Sequence, residues 1–171
     1  MRVNSADVLV DGFGRVRDVV HSAVRGLTPE QLQWRVDPEA NTIGWLAWHL
    51  TRVQDDHVAE VAETDQVWNS GGWAQRFDLP FDQDATGYGQ NADEVGAVEG
   101  PAQLLLDYHD AVYEQTLVFV QGLGDEDLSR VVDRRWDPPV TLGVRLVSVI
   151  SDDLQHAGQA AFIRGVLERQ S

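Results

Sequence analysis

The 171-residue chain contains no cysteine and no lysine. Without cysteine there is no disulfide and no thiolate ligand, so any metal must be held by His, Asp or Glu. Without lysine there is no Schiff-base chemistry and no Walker-type phosphate loop. No stretch approaches the roughly 18–20 apolar residues of a membrane span. The opening Met1-Arg2-Val3-Asn4-Ser5 has no apolar block of the signal-peptide kind. A cytoplasmic location with no membrane partner is therefore expected. Basic charge is scarce as well: 13 arginines face 28 acidic residues, for a net charge of -15. So acidic a surface repels phosphate backbones, which argues against a nucleic-acid partner. Arginine without lysine, beside abundant Ala, Val, Gly and Asp, is a bias of GC-rich genomes such as those of actinobacteria.

What is present is apolar and helical. Hydrophobic residues make up 43% of the chain, enough to fill the core of one domain spanning residues 1–171. Four segments carry a helical period. The first runs from about Ser5, a candidate N-cap, to Arg25, with Val8, Leu9, Phe13, Val16, Val20 and Val24 on one stripe and Gly26 as the stop. The second opens at Thr42 and runs through Trp45, Leu46, His49, Leu50, Val53 and His57 to about Glu63. The third follows Gly100-Pro101 and ends at Gly122. The fourth opens at Thr141 and passes Leu146, Val149, Ile150, Asp152, His156 and Ile163 to near Arg169. No segment alternates as a strand does. The expected fold is all-α, a four-helix bundle.

A weak internal repeat supports that order. Residues 26–37 and 122–133 are identical at six of twelve positions. Each reads as a short capped helix, with a Thr28–Gln31 capping box in the first and Asp125 as the cap of the second. Each leads into a Thr-(Ile/Leu)-Gly helix entry, at Thr42-Ile43-Gly44 and Thr141-Leu142-Gly143. Ordinary helix connectors would look much the same. If the repeat is real, helices two and four occupy equivalent places and a central site draws on both. Between helices two and three, residues 64–99 are long, aromatic and glycine-rich, with Trp68, Trp73, Phe77, Phe81 and Tyr88. Loops this long are uncommon in compact domains. A crossover over the end of the bundle would let helix three run in the same direction as helix two.

Asp152 and His156 lie four apart on helix four, the spacing by which one helix offers two ligands to one metal. The string Ser151-Asp152-Asp153-Leu154-Gln155-His156 is polar where a bundle helix is normally apolar, and buried polar groups need partners. His49 sits in the apolar run Trp45-Leu46-Ala47-Trp48-His49-Leu50. Each also has an ordinary explanation. A histidine in an apolar run is commonly a hydrogen-bonded core residue. An Asp–His pair at this spacing is commonly a surface ion pair, and Asp153 competes as the carboxylate. His21, His57 and His109 read as ordinary amphipathic positions.

Thr42-Ile43-Gly44-Trp45-Leu46-Ala47-Trp48-His49-Leu50 resembles the second-helix motif of the DinB-like (S-transferase-like) superfamily, where a histidine closes a short apolar run. Asp152-Asp153-Leu154-Gln155-His156-Ala157-Gly158-Gln159 resembles its fourth-helix motif, H-x-x-x-H-x-G-Q, with Asp152 in place of the first histidine. The resemblance covers essentially the whole chain. It implies a four-helix bundle binding one divalent metal through His49, Asp152 and His156, zinc or another divalent ion, and often a homodimer, here through helical faces or the aromatics near residues 68–88. Some members, among them a mycothiol-dependent maleylpyruvate isomerase and bacillithiol S-transferases, use low-molecular-weight thiols. The implied activity is transfer of a mycothiol-like thiol to an electrophile.

Two imidazoles, one carboxylate and open positions suit such a catalytic site. Trp68, Trp73, Phe81 and Tyr88 are candidates for the substrate wall, or else a satellite cluster pinning the loop. Arg76, Asn69 and Gln159 are candidate polar contacts to substrate. Three rival readings share the ligand set. The facial triad of non-haem iron oxygenases matches it, but usually on β-sandwich scaffolds. The others are a metal-assisted hydrolase with Asp153 or Asp56 as base, and a non-catalytic bundle stapled by its metal.

Overall fold

The computed structural model describes residues 3–170. Its long helices are α1 (Ser5–Val24), α3 (Ile43–Ala62), α7 (Ala102–Gln121) and α8 (Leu142–Glu168), and the short α2 (Pro29–Leu32), α4 (Val67–Ser70), α5 (Trp73–Phe77) and α6 (Ala92–Gly96) lie in the connections. Most helices start where a side chain satisfies their first free amides. Asn4 caps α1 in a reciprocal box with Asp7. The cap falls one residue before Ser5, because residue 8, which would answer Ser5, is a valine without an acceptor. Thr28 and Gln31 form the expected box at α2, and Thr42 and Thr141 cap α3 and α8 through the amides of Trp45 and Val144.

Cross-helix pairs give the directions. Thr51 meets His109 and Gln54 meets Thr116, so the numbers rise together and α3 runs parallel to α7. Arg145 meets Glu60 while His156 meets His49, so α8 runs antiparallel to α3. Gly12 packs on Ile150 and the Ser22 carbonyl accepts from Arg164, so α1 runs parallel to α8. This is an all-α bundle whose crossover lets the third long helix follow the direction of the second. None of its helices, among the described residues, is long and apolar enough to cross a membrane.

The crossover is pinned by aromatics. Trp68, Trp73 and Phe77 pack round Tyr108 with ring centroids 5.2, 5.4 and 5.8 Å away, and Trp48 lies 5.8 Å from Phe81. Asp55, buried in mid-α3, accepts from the Val67 and Trp68 amides and from the Tyr108 hydroxyl, and so caps α4 from another helix. Trp68 and Trp73 are thus part of the main buried core, with Phe81 packed against it, and they pin the crossover to the bundle. Only Tyr88 of the aromatics in this region stays fully in water, at 95% exposure, which removes most of the aromatic argument for a homodimer.

The connector between α7 and α8 departs from the sequence reading. It forms one 3-10 turn, Asp127–Ser129, then a two-stranded antiparallel hairpin, β1 (Val131–Asp133) and β2 (Val140–Thr141). Strands this short hold too few residues for alternation to register. Asp125 does not cap its own segment: its carboxylate accepts from the Ser5 amide at the start of α1.

Two apolar clusters fill the bundle, one around Val16, Leu50, Val112 and Ala157, the other around Phe13, Val58, Val120 and Val149. Between them along the helices lie buried Thr51, Gln54, Thr116 and Asp153. Thr51 donates to the Ala47 carbonyl, so its oxygen accepts from His109 Nδ1–H, and His109 Nε2 is buried without a partner among the described residues. Burial pushes the His109 pKa down to about 4. The unfolded chain takes up this proton near pH 6.5, whereas the folded protein resists it down to about pH 4. His109 therefore costs no stability above pH 6.5 and on the order of 3 kcal/mol as pH falls towards 4. Urea unfolding at pH 7.5 and 4.5 should show that drop, and His109→Asn should remove most of it.

Candidate metal centre

His49 on α3 faces Asp152 and His156, one turn apart on α8, and a ligand atom from each lies within 4.8 Å of the others. A tetrahedral zinc with bonds of about 2.0–2.2 Å sets its ligand atoms roughly 3.5 Å apart, so about 1 Å of side-chain movement closes the set. His156 Nε2 is already 3.8 Å from Asp152 Oδ1.

The outer ring nitrogens are both engaged. His49 Nδ1–H donates to the Thr86 carbonyl, and His156 Nδ1–H donates to Gln159 Oε1 at 3.1 Å. Each bond fixes the tautomer that carries its lone pair on Nε2, towards the cluster. Burial lowers the His49 pKa; the Thr86 carbonyl opposes this, the neighbouring His156 reinforces it, and Asp152 opposes it. A depressed pKa leaves the imidazole neutral at pH 7, as ligation requires. Asp152 Oδ2 is buried with no hydrogen-bond partner among the described residues, although the side chain as a whole is 42% exposed. A carboxylate with an unpaired buried oxygen, beside two imidazoles, is an environment a cation would satisfy. Trp45 stacks on His49 at 4.5 Å and meets His156 edge-on at 6.4 Å, keeping both rings in place.

The crossover loop is tied to the same helix at three points. Thr86 accepts from His49, the Ala85 carbonyl accepts from Arg52 Nε at 3.1 Å, and Gln90 Oε1 accepts from Trp45 Nε1 at 2.7 Å. Gly87 makes this approach possible: its φ is +96°, and a Cβ there would meet His49 Nδ1 at 2.8 Å and Trp48 at 3.0 Å.

The other sequence candidates separate cleanly. Asp153 is fully buried, with neither oxygen paired among the described residues. Burial and the adjacent Asp152 hold its carboxyl well above the usual range, so it is a neutral acid and no solvent-facing base. Arg76 stacks over Trp73 at 3.9 Å and reaches Asp107, away from the cluster. Gln159 acts on His156, and Asn69 is exposed on α4. His21 pairs with Asp110 and His109 is a core residue. His57, read as ordinary, lines a cleft with His49 and Asp152. It stands two helical turns from His49 on the same face, a spacing that was visible in the sequence.

That cleft has a volume of about 330 Å³ and also takes in Asp56, Thr86, Tyr88 and Ser148. A larger groove of about 570 Å³ is lined by Val36, Leu46, Phe162 and Ile163 and by none of the three clustered residues. The smaller cleft is therefore the one that reaches the cluster.

A family model described as mycothiol-S-transferase matches residues 8–169. The chain belongs to that family. It is also similar to a solved structure, the conserved protein of locus from Enterococcus faecalis, at 28% identity and a TM-score of 0.88 over 95% of this chain and 96% of that one. No curated protein matches it.

The Gly87 contact carries its own test. Gly87→Ala is expected to cost about 1–3 kcal/mol of stability, through its positive φ and the clash with His49. It should also release the His49 Nδ1–H from Thr86, seen as loss of that slowly exchanging imidazole proton in NMR spectra.

Proposed function

We propose that this chain binds a divalent metal, zinc, through His49 Nε2, Asp152 and His156 Nε2, and transfers a low-molecular-weight thiol, mycothiol, to an electrophile. The observation that carries the reading is the convergence of two tautomer-fixed imidazoles on a carboxylate whose buried oxygen has no other partner, at the wall of a cleft. The family model supports the thiol. When bound, the metal would lower the pKa of an incoming thiol so that a nucleophile exists at neutral pH.

The protein's own part is positional. Thr86 and Gln159 hold the ligand rings, and Trp45 covers them. Three protein ligands leave room for an exogenous one, and no cysteine of the chain competes for it. Reaction forms a sulfur–carbon bond; the thiol proton goes to the electrophile in an addition, or leaves with the displaced group in a substitution. Asp56 and His57 stand in the cleft, where either can relay that proton to solvent.

Chelator-stripped protein reloaded with zinc is expected to hold about one ion per chain. Asp152→Asn should weaken zinc binding by more than tenfold, while Asp153→Asn, which alters a carboxyl outside the cluster, should leave it within about twofold. Equal losses at the two positions would reassign the carboxylate ligand. Thiol consumption with mycothiol and a generic electrophile should exceed the uncatalysed rate, and His156→Ala should abolish the excess. Water chemistry without thiol dependence would mark a metal-assisted hydrolase. A metal-dependent rise in Tm with no turnover of any kind would mark a structural staple.

A further inference from the structure

Exposed apolar side chains are ordinary when scattered, but on α8 they are aligned. Val144, Val147 and Phe162 are 56, 60 and 65% exposed, and Leu154 is exposed as well. Their spacing puts all four on one outer face of the helix. Ser151, Gln155, Gly158 and Ala161 fill the rest of that face, and no exposed position from Val144 to Phe162 is charged. Arg145 and Asp153 are buried on other sides of α8, and Asp152 is half-buried beside His49. The outer side of α1 is of the usual kind, with Asp7, Asp11, Arg15 and Asp18 all exposed. In a chain of net charge -15, an uncharged helix face about five turns long is an anomaly.

The two ends of this face differ. Near its start stand two knobs, Val144 and Val147. Near its end lies the groove of about 570 Å³ lined by Val36, Leu46, Gly158, Phe162 and Ile163. Gly158 keeps the groove open. A Cβ there would meet nothing within 4 Å, so no contact inside the chain asks for a glycine in this helix interior, where it weakens the helix. Two copies of α8 laid antiparallel, with a two-fold axis between Leu154 and Gln155, bring Val147 of each against Phe162 of the other. Ser151 then meets Gly158, small against small, beside the crossing point. A parallel arrangement would set knob on knob and groove on groove.

We propose that this face docks a second copy of the chain, as an antiparallel α8–α8 dimer in which Val144 and Val147 of each protomer enter the groove of the other. Charge selects this occupant. A nucleic acid or an anionic membrane finds no basic group on the face. Two copies at -15 each repel except where their surfaces are neutral, and a copy carries both halves of the knob-and-groove match. The face is about 27 Å long and roughly 10 Å wide, small beside the ~800 Å² per partner of standard interfaces, so the dimer is of micromolar affinity. The metal cluster faces α3, on another side of the helix, so dimerisation does not depend on the transferase reading.

Sedimentation velocity on the full chain, from low to high micromolar concentration, should show a monomer–dimer equilibrium. Salt should tighten it severalfold by screening the like net charges, whereas an interface built on ion pairs would weaken. Val147→Arg and Phe162→Glu should each weaken association more than tenfold while Tm and helical circular dichroism stay unchanged, because each buries an unpaired charge twice in the dimer. Mixed one to one, the two variants should associate again. The introduced charges then pair at one end of the interface, and the other end keeps its native Val147–Phe162 contact. Val118→Glu, at an exposed valine of α7, should leave the equilibrium as it is. A wild-type chain that stays monomeric at high micromolar concentration would overturn the proposal, as would a dimer that salt weakens or that both variants leave intact. Failure of the mixed variants to associate would overturn the antiparallel register.

Discussion

The hydrogen bond from His49 Nδ1–H to the Thr86 carbonyl joins the parts of this molecule that would otherwise be independent. On one side is a bundle helix, and on the other a long crossover with little regular structure of its own. The bond selects the His49 tautomer, aims Nε2 at Asp152 and His156, and sets the height at which the loop crosses the cleft. Gly87 is the steric condition for it, since any side chain there would meet the same imidazole. The ring is largely buried, so the carbonyl also satisfies a buried polar group.

The supports of that contact lie in a buried polar network. Arg52 bonds the Ala85 carbonyl, Gln66 and Tyr108, while Asp55 takes the α4 amides and the Tyr108 hydroxyl. Arg52 and Asp55 are both almost fully buried and lie 3.7 Å apart. Desolvation offsets much of the attraction within a buried pair of this kind. The pair places the crossover in one register on α3, which aligns Thr86 with His49 and leaves Tyr88 at the mouth of the cleft. The aromatic cluster around Tyr108 supplies the apolar burial that offsets the desolvation of that pair.

The polar cluster and the bundle core make opposite demands on α8. Asp152 and Asp153 are neighbours in sequence, so they project about 100° apart round the helix axis. One reaches the cleft and the cluster with His49 and His156, while the other is driven into the core as a neutral acid. Asp153 and His109 are both buried, partly unpaired groups in the middle of the bundle, between two apolar clusters. They act in opposite directions: His109, held neutral by burial, makes the centre sensitive to acid, while Asp153, held protonated by burial, costs stability as pH rises.

The four long helices, the threonine caps of α3 and α8 and the direction of the third were legible in the sequence, because periodicity and capping are local. That Asp152 and His156 share one helix face was legible for the same reason, and the family motif pointed to His49 as a partner. Which carboxylate faces the cluster was not, since that turns on the helix rotation, which only packing against α1 and α3 decides. Nor could the roles of Asp55, Thr86 and Gly87 be read. Each depends on where a crossover of nearly forty residues lands on α3, and a loop without period carries no local record of its landing place. Composition and local pattern determined an acidic helical bundle with candidate ligands. Long-range contacts alone decided which of those candidates meet, because three side chains from two antiparallel helices converge only once the core between them has packed.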